Sequence, residues 1–83
     1  MDDSTLRTTL IGLLQRVAPE VEAGTLDEHA PLREQVDLDS MDWLNFLIAV
    51  HERCKVEIAE ADYERLRTLA DLVTYVGARL GAH

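Results

Sequence analysis

Apolar residues recur at helical spacing along most of this chain. In the first stretch they follow one another at intervals of three and four, at Leu6, Leu10, Leu13, Leu14 and Val17. This period predicts a first helix from about Ser4 to Val17, with Asp2 and Asp3 favourable at its positive end and Pro19 ending it. No alternating strand pattern of useful length is present, so the sequence predicts an all-α fold.

Three further helices are expected. The second runs from about Ser40 to Arg53 and is apolar over a wide arc, and a short third one lies near Glu60 to Leu66. The fourth begins with the capping-box-like run Thr68-Leu69-Ala70-Asp71, keeps its apolar residues on one face and meets a terminating glycine at Gly81.

A connection of more than 20 residues, from Ala18 to Asp39, joins the first two helices. Its apolar residues are spaced out rather than clustered, at Val21, Leu26, Leu32, Val36 and Leu38. Such spacing favours a loop that packs against the other elements. The whole chain, residues 1–83, is therefore expected to form one domain, a four-helix bundle with a short third helix and a long loop between helices one and two.

Size and charge limit the possible functions. A chain of 83 residues has room for a small core and offers no deep substrate cleft, so an enzyme is not expected. Its 16 acidic and 8 basic residues give a net charge of -8, which disfavours nucleic acid and favours basic protein surfaces as partners. A monomer is the expected state.

The start of the chain and its single cysteine bear on location and on metal sites. Met1-Asp2-Asp3 offers no positive region followed by an apolar run, so a cytoplasmic protein without membrane insertion is expected. Cys54 alone forms no internal disulfide or multi-cysteine zinc site. The carboxylates around residue 40 resemble a calcium loop only superficially, because Met41 and Ile48 stand at ligand positions, and no metal site is predicted.

One hydroxyl stands out at the start of the second helix. Ser40 lies in the run Val36-Asp37-Leu38-Asp39-Ser40-Met41-Asp42, where a polar stretch gives way to an apolar helix. With Asp39 as N-cap and Asp42 in the matching capping position, Ser40 falls in the first turn with its side chain outward. A phosphate attached there would meet free backbone N–H groups, although a serine at this position can also simply cap the helix.

The motif Asp39-Ser40-Met41 resembles the 4′-phosphopantetheine attachment segment of acyl carrier proteins. The resemblance includes the apolar residues that follow it, Leu44, Leu47, Ile48 and Val50. The order of helices and the long loop extend the resemblance over nearly the whole chain. The resemblance implies that a phosphopantetheinyl transferase moves the phosphopantetheine of coenzyme A onto Ser40. The arm would carry acyl groups as thioesters between acyl-loading and acyl-transferring enzymes of fatty-acid, lipid or polyketide-type biosynthesis.

The resemblance also assigns sides to the second helix. Met41, Leu44 and Ile48 fall where the family presents apolar side chains to partner enzymes, with Asp42 and Glu52 as acidic recognition residues. An acyl pocket or core is expected on the inner side and near helix three, at Phe46, Leu47, Val50, Cys54 and Leu66. Helical spacing separates the two stripes independently, although both could be core.

Several residues depart from the family pattern. Asn45 and His51 replace acidic residues on the second helix, while Glu57, Glu60, Asp62 and Glu64 form what is expected to be a solvated acidic face around helix three. This distribution suggests specialised partner enzymes. Cys54 stands where a phenylalanine is common, and Trp43 where a small or polar residue is usual, so both change the volume near an acyl chain.

The sequence leaves two alternatives to an acyl carrier open. An aminoacyl or peptidyl carrier would use the same arm, although Asp39 favours acyl cargo, and an unmodified interaction module would present Met41, Leu44 and Ile48 to a partner. A hydrolase pair of Ser40 and His51 is excluded because eleven helical residues separate them by about 16 Å.

Overall fold

The computed structural model describes residues 2–80, so the terminating glycine predicted at Gly81 lies outside the described residues. Four α-helices follow in order: α1 (Asp3–Val17), α2 (Leu32–Gln35), α3 (Ser40–Cys54) and α4 (Leu69–Leu80). Two 3-10 segments separate them, η1 (Ala23–Thr25) and η2 (Glu60–Arg65). Within residues 2–80 the only strand-like pairing is an isolated bridge between Pro31 and Thr68, which confirms the all-α prediction.

Local capping explains where the long helices begin and end. Asp2 caps α1 by accepting a hydrogen bond from the Thr5 N–H at 2.8 Å. At α4 the predicted capping box is complete, because the Asp71 N–H donates to Thr68 Oγ1 at 3.0 Å and the Thr68 N–H donates to Asp71 Oδ2 at 3.1 Å. Helix α3, the second helix of the prediction, ends at Cys54, and its C-cap Lys55 has a left-handed φ of 58°.

The core lies where α1 packs against both α3 and α4. The apolar residues that recur at helical spacing in the first helix face the core. Helix α1 buries Leu6, Leu10, Leu13 and Leu14. The largest fully buried side chains come from all four helices and are Phe46, Leu6, Leu10, Leu14, Leu32, Leu47, Leu69, Leu72, Val50 and Val76. The described core contains no buried polar or charged side chain, so burial of apolar surface holds the bundle together.

The long connection packs against the bundle, as its spaced apolar residues predict. Val21, Leu32, Val36 and Leu38 are buried, and Leu26 is partly buried. Backbone hydrogen bonds fix the connection to the start of α4, from the Leu32 N–H to the Arg67 carbonyl at 2.8 Å and from the Ala70 N–H to the Glu28 carbonyl at 2.9 Å. The single turn of α2 within this connection was not predicted.

The segment expected as a short third helix is the 3-10 segment η2, which buries none of its own residues. Of its two predicted inward residues, Tyr63 is partly buried, and Leu66, just after the segment, is buried. Since η2 itself contributes little apolar burial, polar contacts and its flanking residues must hold it in place.

The prediction that Asp62 lies on a solvated acidic face is wrong. Its side chain is only 15% exposed and accepts a hydrogen bond from Tyr75 Oη at 2.7 Å. It also forms ion pairs with Arg65 and with Arg79, and the Ala59 N–H donates to Tyr75 Oη at 3.3 Å. The hydrogen bond from Tyr75 is the largest cause that lowers the pKa of Asp62, whereas burial raises the pKa of Tyr75. These contacts connect η2 to α4.

Candidate functional site

Ser40 is the first residue of α3, and its side chain is exposed. Asp39 before it is extended, with φ −80° and ψ −179°, and its Oδ1 accepts a hydrogen bond from the Asp42 N–H at 2.8 Å. The Trp43 N–H donates to the Asp39 carbonyl at 2.9 Å as the first bond of the helix. Asp39 is therefore the N-cap that the sequence predicts. Within residues 2–80 the return bond of a full capping box, from the Asp39 N–H to Asp42, is not formed.

The start of α3 suits an attached phosphate. The caps account for the N–H groups of Asp42 and Trp43, while those of Ser40 and Met41 have no partner within residues 2–80. Unpaired N–H groups and the positive end of the helix dipole together favour a phosphate group near the Ser40 hydroxyl. The residues present therefore fit a phosphodiester at this serine.

The backbone leading to Ser40 is anchored. Val36 and Leu38 are buried at 7% and 5% exposure, so the chain is fixed to the core on the N-terminal side of the serine. Arg33 Nε donates to the Leu38 carbonyl at 3.4 Å and links this stretch to α2. An exposed hydroxyl on an anchored helix start is presented to solvent in a defined orientation.

Helix α3 has two contrasting faces. Met41, Leu44 and Ile48 are 67%, 39% and 44% exposed, and they are the large hydrophobic side chains exposed among the described residues. We refer to these three residues as the outer stripe. Exposure of three large apolar side chains on one helix face of so small a protein is typical of an interaction surface. The partner-recognition role predicted for them, for the half-buried Asp42 and for the exposed Glu52 remains a prediction.

The opposite face of α3 lies in the core. All five residues predicted to form an acyl pocket or core are buried: Phe46, Leu47, Val50, Cys54 and Leu66. Trp43 is 9% exposed, and its ring packs on that of Phe46 with 5.4 Å between centroids and an interplanar angle of 40°. Aromatic rings at this separation attract one another in addition to burying apolar area. The inner face is thus packed, and the pocket role of its residues remains a prediction.

The sequence did not predict a groove of about 670 Å³ beside the start of α3. Its floor and walls include Leu38, Trp43, Tyr63 and Leu66, and four charged residues lie on it: Arg33, Glu34, Glu64 and Arg67. We call it the side groove. It is formed by α2, the start of α3, η2 and the segment before α4, so residues distant in sequence build it. The closeness of Leu38 and Trp43 to Ser40 along the chain is the one signal that could have suggested it.

Neither Cys54 nor His51 forms a hydrogen bond with Ser40 among the described residues. Cys54 is buried, and burial raises the pKa of its thiol, which favours the protonated form over the reactive thiolate. His51 lies near the other end of α3, where its Nδ1 is 2.8 Å from the Val56 carbonyl. Within residues 2–80 no group of three or more His, Cys, Asp or Glu side chains could hold a metal ion. None of the helices described is both long enough and apolar enough to cross a membrane.

The chain is similar to known proteins in both sequence and fold. The family described as "phosphopantetheine attachment site" matches residues 4–76. An acyl carrier protein of Chlamydia caviae is 34% identical over 61 residues, covering 74% of this chain and 79% of the relative. An acyl carrier protein of Chlamydia muridarum is 32% identical over 63 residues, covering 76% and 77%. The fold is similar to that of acyl carrier protein from Enterococcus faecalis, with a TM-score of 0.74, 17% identity and coverage of 95% and 99%.

Proposed function

We propose that Ser40 receives 4′-phosphopantetheine from coenzyme A, because this chain belongs to the acyl carrier protein family. Members of this family are carriers and not enzymes, and phosphopantetheine is their cofactor. The observation that carries the proposal is the geometry of Ser40, an exposed hydroxyl at the first position of a helix whose adjacent N–H groups are free to meet a phosphate.

The residues around Ser40 would position the group and would not react with it. Ser40 Oγ would form the phosphodiester bond and lose its proton as adenosine bisphosphate leaves coenzyme A. No described side chain hydrogen-bonds to Ser40 as a base, so the phosphopantetheinyl transferase must supply one. Asp39 keeps the helix start in place by capping the Asp42 N–H. The attached group supplies a terminal thiol that holds an acyl group as a thioester.

The outer stripe is the proposed docking surface for the enzymes that load and unload the carrier. Its three apolar side chains begin at the residue after Ser40 and continue along the same face of α3. Asp42 and Glu52 provide acidic contacts, whereas Asn45 and His51 are exposed on the same helix without a negative charge. A basic enzyme surface would therefore find few partners here, which supports specialised acyl-transferring enzymes of lipid or polyketide-type synthesis over the general fatty-acid set.

The chain offers a matched control for the attachment site, because it contains two serines, Ser4 and Ser40. Both follow an aspartate, both are exposed, and both lie in the first turn of a helix. Incubation with coenzyme A and a broad-specificity phosphopantetheinyl transferase, followed by intact mass measurement, should add one phosphopantetheine group to the wild type and to Ser4→Ala. Ser40→Ala should gain none.

The opposite results separate the alternatives. Modification of Ser40→Ala, or equal loss in Ser4→Ala, would place the group elsewhere. An unmodified wild type would favour an interaction module that uses the outer stripe without an arm. If the protein isolated from its native cell carried an aminoacyl group, the hypothesis of an aminoacyl carrier would replace that of an acyl carrier.

A further inference from the structure

The side groove and the core offer two different places for a group carried from Ser40. Leu38 precedes Ser40 by two residues and Trp43 follows it by three, so the groove begins beside the proposed attachment point. The core behind it contains the buried side chains of α3. Trp43 belongs to both places, because it lines the groove and packs on Phe46 in the core.

Trp43 lies between the groove and the buried side chains of α3. Its ring packs on Phe46 at 5.4 Å between centroids, and behind it Phe46 and Val50 have no exposed surface. An aliphatic chain that entered the core would have to separate the two rings and displace side chains in a close-packed interior. A shorter group can instead lie in the groove beside Trp43 without entering the core.

The walls of the groove suit an aromatic group. Trp43 and Tyr63 provide two aromatic side chains and Leu66 an apolar one. Arg33 and Arg67 are exposed beside them and can lie against the face of a bound ring, while Glu34 and Glu64 balance their charge. A long aliphatic chain in this open, charged groove would keep much of its apolar surface in water.

We infer that the side groove holds the cargo and that Trp43 restricts it to short aromatic acyl groups, excluding long aliphatic chains from the core. The inference rests on the proposed attachment at Ser40 and goes further by naming the class of acyl group. It makes Trp43 the residue that determines specificity, with Tyr63 as a second aromatic residue of the groove lining.

The test loads the apo protein with benzoyl or octanoyl phosphopantetheine from the corresponding coenzyme A thioesters, using a broad-specificity transferase, and confirms loading by intact mass. Three quantities are then measured: the fluorescence of Trp43, the only tryptophan, the melting temperature, and the rate of thioester cleavage by hydroxylamine. The benzoyl form should shift the fluorescence and be cleaved severalfold more slowly than free benzoyl-pantetheine. The octanoyl form should be cleaved at the rate of free octanoyl-pantetheine and melt with the unacylated holo form.

Two variants keep the test decisive. Trp43→Leu should reverse the preference, protecting the octanoyl thioester and exposing the benzoyl one. Tyr63→Ala changes only a partly buried groove residue and should abolish benzoyl protection even where Trp43→Leu fails to fold. Protection of octanoyl in the wild type, or equal cleavage of benzoyl with and without Tyr63, would overturn the inference. Failure to load would show as an unchanged mass and would refute the attachment proposal together with this inference.

Discussion

The replacement Cys54→Phe should destabilise the protein, because it adds a ring at a buried position of the core. Cys54 is 5% exposed on the inner face of α3, one turn after Val50, which is fully buried. Trp43 and Phe46 already pack their rings together on the same face. Adding a large side chain to a close-packed interior costs about 1–3 kcal/mol. For a domain of this size each kcal/mol lowers the melting temperature by about 4–8 °C, so a fall of roughly 4–24 °C is expected.

Urea denaturation followed by helical circular dichroism measures this change directly. The midpoint should fall while the slope stays constant, since the same surface is exposed on unfolding. Ile48→Phe is the matched control, because it adds the same residue type to the same helix at a position that is 44% exposed. Its stability should stay within about 0.5 kcal/mol of the wild type. A Cys54→Phe protein as stable as the wild type would refute the argument and show that the core around Cys54 contains room for a phenyl ring.

Three further predictions concern single contacts. Asp39→Ala should lower the free energy of unfolding by about 1 kcal/mol, because it removes the cap on the Asp42 N–H. Asp39→Asn should not lower it, because asparagine also caps. Equal losses for the two variants in urea denaturation would contradict this role. Asp62 has a folded pKa below its ordinary value of 3.8, so its contribution is present above that value and is lost as the pH falls through the folded pKa. Tyr75→Phe should therefore melt below the wild type at neutral pH, with the difference shrinking in acid, and a difference independent of pH would count against the contact. Lys55→Gly should raise stability by up to about 1 kcal/mol, since Lys55 has a φ of 58° that glycine adopts without strain, whereas a gain from Lys55→Ala would rule out that explanation.

The long helices were predictable because their determinants are local. An apolar period of three and four residues produced α1, and the Thr68 and Asp71 pair marked the start of α4. The same periodicity separated the outer stripe from the buried face of α3. In each case the residues that specify the element lie within it or directly beside it, so the local sequence contains the signal.

The parts that were missed depend on contacts between distant residues. In the sequence, Asp62 is not distinguishable from the neighbouring acidic residues. Its contacts with Tyr75 and Arg79 form only when the chain folds. The turn of α2 is too short for a periodic signal and follows Pro31, whose neighbour Leu32 donates a backbone hydrogen bond to the segment before α4. The side groove is missed for the same reason, since its walls come from four separate parts of the chain.

The two serines show why the attachment site cannot be read from the start of a helix alone. Ser4 and Ser40 share an adjacent aspartate, an exposed side chain and a place in the first turn. They differ at the positions one, four and eight residues later, which are all exposed. After Ser40 these positions are the outer stripe, whereas after Ser4 they are Thr5, Thr8 and Gly12. A transferase that recognised only a capped helix start would modify both serines, and one that also contacts the apolar stripe would modify Ser40 alone. Because the helix dipole acts at both sites, we predict that contacts with the outer stripe contribute to the selectivity of the transferase for Ser40.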